Sequence, residues 1–278
     1  MTPHELIRQA SVRFRAAGIP DPENDAALLL SHQTGRHPLD LRLDRDTPLC
    51  QDQVISFEAL VQQRLKRIPL QYLLGEAPFF RRSFTVDSRV LIPRPETELL
   101  CEWALEILRD RSSPCVLDLC CGSGCIGLTL KAERPDAVIT LSDISRDALD
   151  VAAANASRLS LSVVLEQRDL LCDFPASSFD LIISNPPYVT SEDCASLQPE
   201  LRYEPFLALH GGEDGCDLYR KIILSAGTVL KPGGALLLEF GIHEAGIISS
   251  LLCLHGFTCI QVRQDYAGID RMIYALHP

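Results

Sequence analysis

The sequence predicts an α/β protein: a doubly wound, seven-stranded, mostly parallel sheet, preceded by a small helical domain and a β-hairpin linker. Three observations carry this. Short apolar runs recur at 115–119, 137–142, 162–167, 180–184, 235–240, 257–263 and 271–276, most of them separated by helix-length segments. Runs of that length suit strands buried on both faces. The first, Cys115-Val116-Leu117-Asp118-Leu119, leads through a glycine-bearing turn into a helix ending near Glu133. Strand, glycine turn and helix make the opening unit of a nucleotide-binding sheet. Before residue 70 the signals are helical.

The elements follow in order. Residues 4–17 read as a helix stopped by Gly18. Asp21-Pro22 offers an N-cap and a proline at the first helical position, opening a helix from Glu23 to about Gln33. Gln51 to about Lys66 is a third long helix, and Leu28, Leu29 and Leu30 belong to the core. The helical domain is therefore expected over 1–70 and the linker over 71–94. Within 71–93, the alternation of Tyr72, Phe79, Phe84, Val86, Val90 and Ile92 reads as a hairpin. The sheet domain is expected over 95–278. Pro95 opens a helix through about Arg109, with Trp103 in the core, and Asp214 opens another to about Leu230, ended by Lys231-Pro232-Gly233-Gly234. The last two runs are joined by a loop, so they should be antiparallel neighbours. Asp265, Gly268, Asp270 and Arg271 read as a polar turn between them with an ion pair. No internal repeat or low-complexity tract is present.

Asn185-Pro186-Pro187-Tyr188 carries the most specific chemistry. It follows the apolar run Phe179 to Ser184, and two prolines cannot donate to a sheet ladder, so the strand stops there. Ligands of open α/β sheets bind just past such carboxyl ends. The Asn185 side-chain oxygen and a proline carbonyl are uncharged acceptors that can hold both protons of a planar NH2 group. The Tyr188 ring can stack on the flat group behind it. Acceptors on those N–H bonds stabilise the positive charge that grows when such a nitrogen attacks an electrophile. Holding it in place contributes about 7–11 kcal/mol more. No Ser, Cys or His nucleophile is required.

The turn Cys120-Cys121-Gly122-Ser123-Gly124-Cys125-Ile126-Gly127 matches G-x-G-x-x-G, a weak signal alone. It has no lysine after the glycines, so it is not a P-loop. Asp118, just before it, would repel a pyrophosphate, which argues against NAD; it could instead accept from an ammonium group. Asp143 ends the next run, 19 residues after Gly124, where an acidic side chain accepts from ribose hydroxyls. It also stands in the N-cap region of the next helix, beside Ser145.

Asp118-x-x-x-Gly122-x-Gly124, Asp143 and Asn185 to Tyr188 together resemble a class I AdoMet-dependent methyltransferase acting on a planar amino group. Three further stretches narrow this: Arg67-Ile68-Pro69-Leu70-Gln71-Tyr72-Leu73-Leu74-Gly75-Glu76 with Phe79-Phe80; Val90-Leu91-Ile92-Pro93-Arg94-Pro95-Glu96-Thr97-Glu98; and Glu204-Pro205-x-x-Ala208-Leu209-x-Gly211-Gly212-x-Asp214-Gly215. They resemble the HemK-type release-factor glutamine N5-methyltransferases. Amino-methyltransferases acting on DNA share Asn-Pro-Pro-Tyr but not Arg-Pro-Glu-Thr-Glu. The resemblance implies a Rossmann-like methyltransferase fold, S-adenosyl-L-methionine as cofactor, and the glutamine of the Gly-Gly-Gln loop of class 1 peptide chain release factors as substrate. Carried over, Asp118, Cys120, Cys121, Gly122, Ser123, Gly124 and Asp143 bind cofactor. Asp169 and Leu170 lie near the adenine, and Asn185, Pro186, Pro187 and Tyr188 hold the glutamine amide. Asn185 would contact both ligands. The chain departs from the family pattern at Cys120, which replaces a glycine, and at Leu170, where an aromatic is common.

Composition bounds the function. The chain has 278 residues, a net charge of −11 and 46% hydrophobic residues, with no apolar stretch of membrane-spanning length. Met1-Thr2-Pro3-His4-Glu5-Leu6-Ile7-Arg8 lacks the charged start and apolar core of a signal peptide, so a cytoplasmic protein is expected. Eleven cysteines without a C-x-x-C pair fit reduced thiols rather than a metal site. Residues 1–85 hold 11 basic and 10 acidic side chains, residues 86–278 hold 15 and 27. An acidic second part suits a basic protein partner better than nucleic acid, so no direct nucleic-acid contact is expected. The helical domain and hairpin are expected to clasp the protein substrate.

Several residues keep two readings. Glu96 and Glu98 suit substrate orientation or the dipole of a helix's first turn. His210 and His243 suit packing or surface positions better than catalysis. Glu239, ending an apolar run, suits a structural hydrogen bond at least as well as catalysis. A ribosomal-protein glutamine, adenine N6 in nucleic acid, a NAD dehydrogenase and a cofactor-binding scaffold without turnover remain as alternatives.

Overall fold

The structure, a computed structural model, describes all residues from Met1 to Pro278. It divides into two compact units: Met1–Glu76 with Gln198–Tyr203, and Ala77–Leu197 with Glu204–Pro278.

The first unit is helical. Helix α1 (Pro3–Ala16) starts with a capping box in which Glu5 N donates to Thr2 Oγ1 at 3.3 Å and Thr2 N donates to Glu5 Oε2 at 3.0 Å. Helix α2 (Pro22–Thr34) has its proline at the first turn and ends in a left-handed Gly35. Helices α3 (Pro38–Leu43), α4 (Gln51–Leu65) and α5 (Leu70–Leu74) complete the unit. Phe14, Leu29, Leu30, Leu41 and Val61 are fully buried in its core, each worth roughly 1.5–3 kcal/mol of burial. A buried guanidinium organises the remainder: Arg64 Nε lies 2.7 Å from Asp25 Oδ2, and its Nη1 lies 3.0 Å from Glu200 Oε1. Arg67 binds the same Glu200. Helices α3 and α5 have too few turns for a periodic signal, which is why the sequence does not announce them.

Helix α5 takes the start of the expected hairpin. The strands are β1 (Glu76–Phe79) and β2 (Arg82–Thr85), joined by Phe80 and Arg81, both at positive φ. The hairpin ends at Thr85: Val90 and Ile92 are buried but belong to no strand. Their alternation reflects side-chain burial in a segment punctuated by Pro93 and Pro95, which cannot serve a ladder.

The second unit holds the sheet. In chain order come α6 (Glu96–Ile107), β3 (Cys115–Leu119), α7 (Cys125–Glu133), β4 (Val138–Asp143), α8 (Arg146–Arg158), β5 (Val164–Gln167), β6 (Phe179–Ser184), β7 (Val189–Thr190), α9 (Ser191–Ser196), β8 (His210–Gly212), α10 (Asp217–Val229), β9 (Leu230–Glu239), α11 (Ala245–Leu254), β10 (Thr258–Gln264) and β11 (Asp270–Leu276). The order in the sheet is β10-β11-β9-β6-β3-β4-β5. Strand β11 runs antiparallel to β9 and β10; the remaining pairings are parallel. From β3 the chain winds outward through β4 and β5, then returns to β6 on the other side. The reversal opens a crevice past the carboxyl ends of β3 and β6.

Alternation along the central strands fills both faces. Val116, Leu181, Ile183 and Leu237 pack on one side with Leu100, Trp103 and Leu128. Leu117, Leu119, Ile182 and Leu236 pack on the other with Tyr219, Ile222 and Phe240. Strand β9 begins at Leu230, five residues before the apolar run at 235, because Leu230 pairs with Phe179 ahead of a register shift. Helix α10 starts at Asp217 rather than 214, since Asp214 Oδ1 accepts from Cys216 N at 3.1 Å before the first turn. No helix is long and apolar enough to cross a membrane.

Candidate active site

The carboxyl end of β3 sets one wall. Asp118 is fully buried, and its Oδ2 accepts from Gly127 N at 2.8 Å. Its Oδ1 has no partner. Burial pushes its carboxyl up to about 7, against the Gly127 hydrogen bond, with Asp143 adding to the rise. A Cβ on Gly127 would lie 2.3 Å from Leu141 Cδ2 and 3.0 Å from Asp118, so glycine alone admits that approach.

The turn then runs through left-handed residues: Cys120 at φ 58°, Gly122 at 53° and Gly124 at 77°. Cys121 N donates to Ser142 O at 3.0 Å, and the Ser123 carbonyl accepts from Asn155 Nδ2 at 3.0 Å. Gly122 N donates to Asp143 Oδ2 at 2.9 Å, while Oδ1 takes Ser145 N at 2.9 Å. Asp143 therefore fastens the turn to the start of α8, and burial raises its carboxyl above the usual range. Holding Cys120 left-handed costs about 1–2 kcal/mol. The other departure from the family pattern, Leu170, is also left-handed, at φ 50°.

The second wall is the mouth of β6. Asn185 Nδ2 donates to Glu239 Oε1 at 2.8 Å and to Thr97 Oγ1 at 3.2 Å. Both bonds use the amide nitrogen, so the amide oxygen is left for a ligand. Glu239 is 1% exposed and Thr97 is 2% exposed. Burial pushes Glu239 up to about 7, while the neighbouring Thr97 hydroxyl, the charge of Arg271 and the hydrogen bond from Asn185 act in the opposite direction.

Cys120, Gly122, Asp143, Asp169, Leu170, Asn185 and Pro187 line one cleft, faced by Val90 and Leu91. Asp118, Cys121, Ser123, Gly124, Pro186 and Tyr188 do not line it. Cys121 packs in the core, Ser123 is buried, and Gly124 is wedged where a Cβ would meet Ala152, Leu128 and Leu141 at 3.2 Å each. The Tyr188 ring is half-buried and lies beside Gly241, where a Cβ would stand 3.0 Å from Tyr Cδ2. Burial pushes its hydroxyl up to about 12.

Two further stretches brace the mouth. Glu204 is buried, accepting from Ile92 N at 3.0 Å and from Arg94 Nη2 at 2.6 Å. Strand β7, directly after Tyr188, pairs in parallel with β8. Gly211 makes that pairing possible, since a Cβ there would fall 2.6 Å from Tyr188 Cα and 2.8 Å from the Pro187 carbonyl. Sequence reasoning missed Thr97 and Glu204. Both are polar residues inside unusual motifs, but burial, which marks them out, is not visible in one sequence. Glu98, weighed for substrate, accepts from Phe80 N at 2.9 Å, and Glu96 is exposed. His210 bonds Ser191 Oγ at 2.9 Å and stacks on Phe206.

The chain matches the PrmC N-terminal domain family over residues 5–75 and the methyltransferase small domain family over residues 97–198. It is 40% identical over 271 residues to the release factor glutamine methyltransferase of Deinococcus radiodurans, covering 98% of this chain and 97% of that one. The chain belongs to the release factor glutamine methyltransferase family. The member from Cereibacter sphaeroides is 41% identical, covering 99% of this chain and 98% of that one. Among solved structures, a methyltransferase from Pyrococcus furiosus shares the fold, with a TM-score of 0.53 at 16% identity over 72% of this chain and 90% of that one. As in the sequence expectation, the fold is an α/β methyltransferase fold, and the chain is an enzyme of the AdoMet-dependent class.

Proposed function

We propose that this chain transfers the methyl group of S-adenosyl-L-methionine to the side-chain amide nitrogen (N5) of the glutamine in the Gly-Gly-Gln motif of class 1 peptide chain release factors, in the cytoplasm. The observation that carries the reading is the Asn185 amide, whose nitrogen is tied to Glu239 and Thr97 so that its oxygen remains the acceptor.

The residues present fit the cofactor. The cleft wall is apolar at Val90, Leu91, Leu119 and Leu170, as an adenine face requires, and acidic at Asp143 and Asp169. Asp118, behind the cleft wall and fully buried, keeps one unpartnered oxygen, and the family resemblance assigns it to the ammonium end. Asp143 serves the ribose hydroxyls, and the turn from Cys120 to Gly124 allows close backbone approach. When bound, the cofactor supplies an electrophilic methyl on a sulfonium. Asn185 Oδ1 and the Pro186 carbonyl accept the two amide protons of the substrate and orient its nitrogen, Pro187 closes the cleft, and Tyr188 shields the planar group. Residues 1–70 supply recognition of the protein substrate and 71–94 act as linker. Deleting residues 1–66 should then raise the KM for release factor.

Incubation with AdoMet and purified release factor, followed by mass spectrometry, should show one added methyl on the glutamine of Gly-Gly-Gln. Parallel incubations with ribosomal protein and with adenine-containing nucleic acid should show none. Methylation confined to either of those substrates would overturn the reading.

A further inference from the structure

Asn185 lies within a triangle that the expected chemistry does not by itself require. An amide side chain turned by half a revolution exchanges its acceptor for its donor, and the turned form would present NH2 to an incoming NH2. Two groups oppose that turn: Glu239 Oε1 and Thr97 Oγ1 both accept from Asn185 Nδ2, at 2.8 and 3.2 Å. The Thr97 hydroxyl also acts to lower the Glu239 carboxyl, against its burial. The carboxylate comes from the end of β9, where the backbone is held by Tyr219 Oη donating to the Glu239 carbonyl at 2.9 Å. Its second oxygen, Oε2, is buried without a partner. A buried, incompletely paired carboxylate costs stability, so its cost calls for a role that an apolar residue could not fill.

We propose that Glu239, together with Thr97, is a positioning residue for methyl transfer: its ionised carboxylate locks the Asn185 amide with the oxygen facing the cleft. The inference rests on the function proposed above and adds a residue to it. The groups around Glu239 are Arg271 from β11, Glu96 and Cys101 from α6, Cys125 from α7, Tyr219 from α10, and Tyr188 after β6. Arg271 favours the ionised form and Glu96 opposes it. Because burial dominates and raises the carboxyl to about 7, the group is ionised above that pH and protonated below it. A protonated carboxyl can donate, so it no longer selects one orientation of Asn185.

The test is kcat for release-factor methylation from pH 5.5 to 9 in the wild type, Glu239→Gln and Thr97→Val. The wild type should lose kcat as pH falls through about 7. Glu239→Gln should have kcat lowered roughly 10- to 100-fold at pH 8, the size expected when an outer partner of a functional ligand is removed. Its acid limb should vanish, with AdoMet affinity within about threefold of wild type. Thr97→Val should lower kcat with KM for AdoMet unchanged. A Glu239→Gln enzyme with wild-type kcat and an intact acid limb would overturn the assignment. A second readout needs neither turnover nor a folded variant. In the wild-type protein, the Asn185 side-chain 15N and 1H shifts should titrate with the same midpoint as the acid limb. Shifts that stay flat across that range would also overturn it. Should the wild type fail to methylate release factor at all, the proposed function falls, while the Asn185 titration still decides the role of Glu239.

Discussion

The turn after β3 and the mouth of β6 line the same cleft but are held by different means. In the turn, the contacts are short in sequence: Gly127 N reaches back 9 residues to Asp118, and Gly122 N reaches forward 21 to Asp143. Its shape is set by backbone hydrogen bonds and by residues able to stand at positive φ. At the mouth, Asn185 is held through its side chain by Thr97, 88 residues away, and by Glu239, 54 residues away. Damage to the turn should therefore register as strain and weakened cofactor binding. Damage to the mouth should register as lost orientation, with binding intact.

Asn185→Ala tests that separation with the largest expected effect. Turnover should fall on the order of 10²-fold or more, as when one oxyanion-type contact is removed, while calorimetric AdoMet affinity stays within about threefold. Equal losses in both would mean that mouth and turn are not separable. Next comes Gly127→Ala, whose methyl would overlap Leu141 and Asp118. Denaturant unfolding should show a loss of about 1–3 kcal/mol, the usual cost of overpacking. Asp143→Asn replaces an acceptor of two backbone N–H groups with a side chain that can satisfy one. AdoMet Kd should rise roughly tenfold, about 1.4 kcal/mol, with kcat at saturation little changed; a kcat loss as large as that of Asn185→Ala would merge the two regions. Cys120→Gly should change least. Relief of about 1–2 kcal/mol of left-handed strain is offset by glycine's entropy and the lost packing of a thiol that touches the core. Stability should stay within about 1 kcal/mol of wild type, and a larger loss would show that the thiol, rather than the backbone, holds the turn.

Legibility followed the same division. The turn, Asp143 and the proline stop after Ser184 were readable because each depends on local backbone rules: a glycine-bearing corner, an acidic strand end, a missing N–H. The antiparallel last pair was readable from its short connection, and Asp265 does bond Arg271 across that turn at 3.3 Å. Thr97 was not readable, because Glu96 and Glu98 beside it carry the charge while Thr97 alone is buried. The Gly211-Gly212 stretch was recognisable as a motif, but its physical reason, a backbone passing against Tyr188, exists only when β7 and β8 pair. The hairpin was overread for a related reason: alternation reports burial, and Val90 and Ile92 are buried outside any strand.

The amino-acid order by itself settled the α/β class, the strand that must end at Asn185 and the acidic ends of β3 and β4, since periodicity, proline and glycine act over a few residues. The tertiary structure decided which end of the Asn185 amide faces the cleft and why Glu239 sits buried beside it. Hydrogen-bond direction between side chains far apart in sequence is fixed only when folding brings donor and acceptor together.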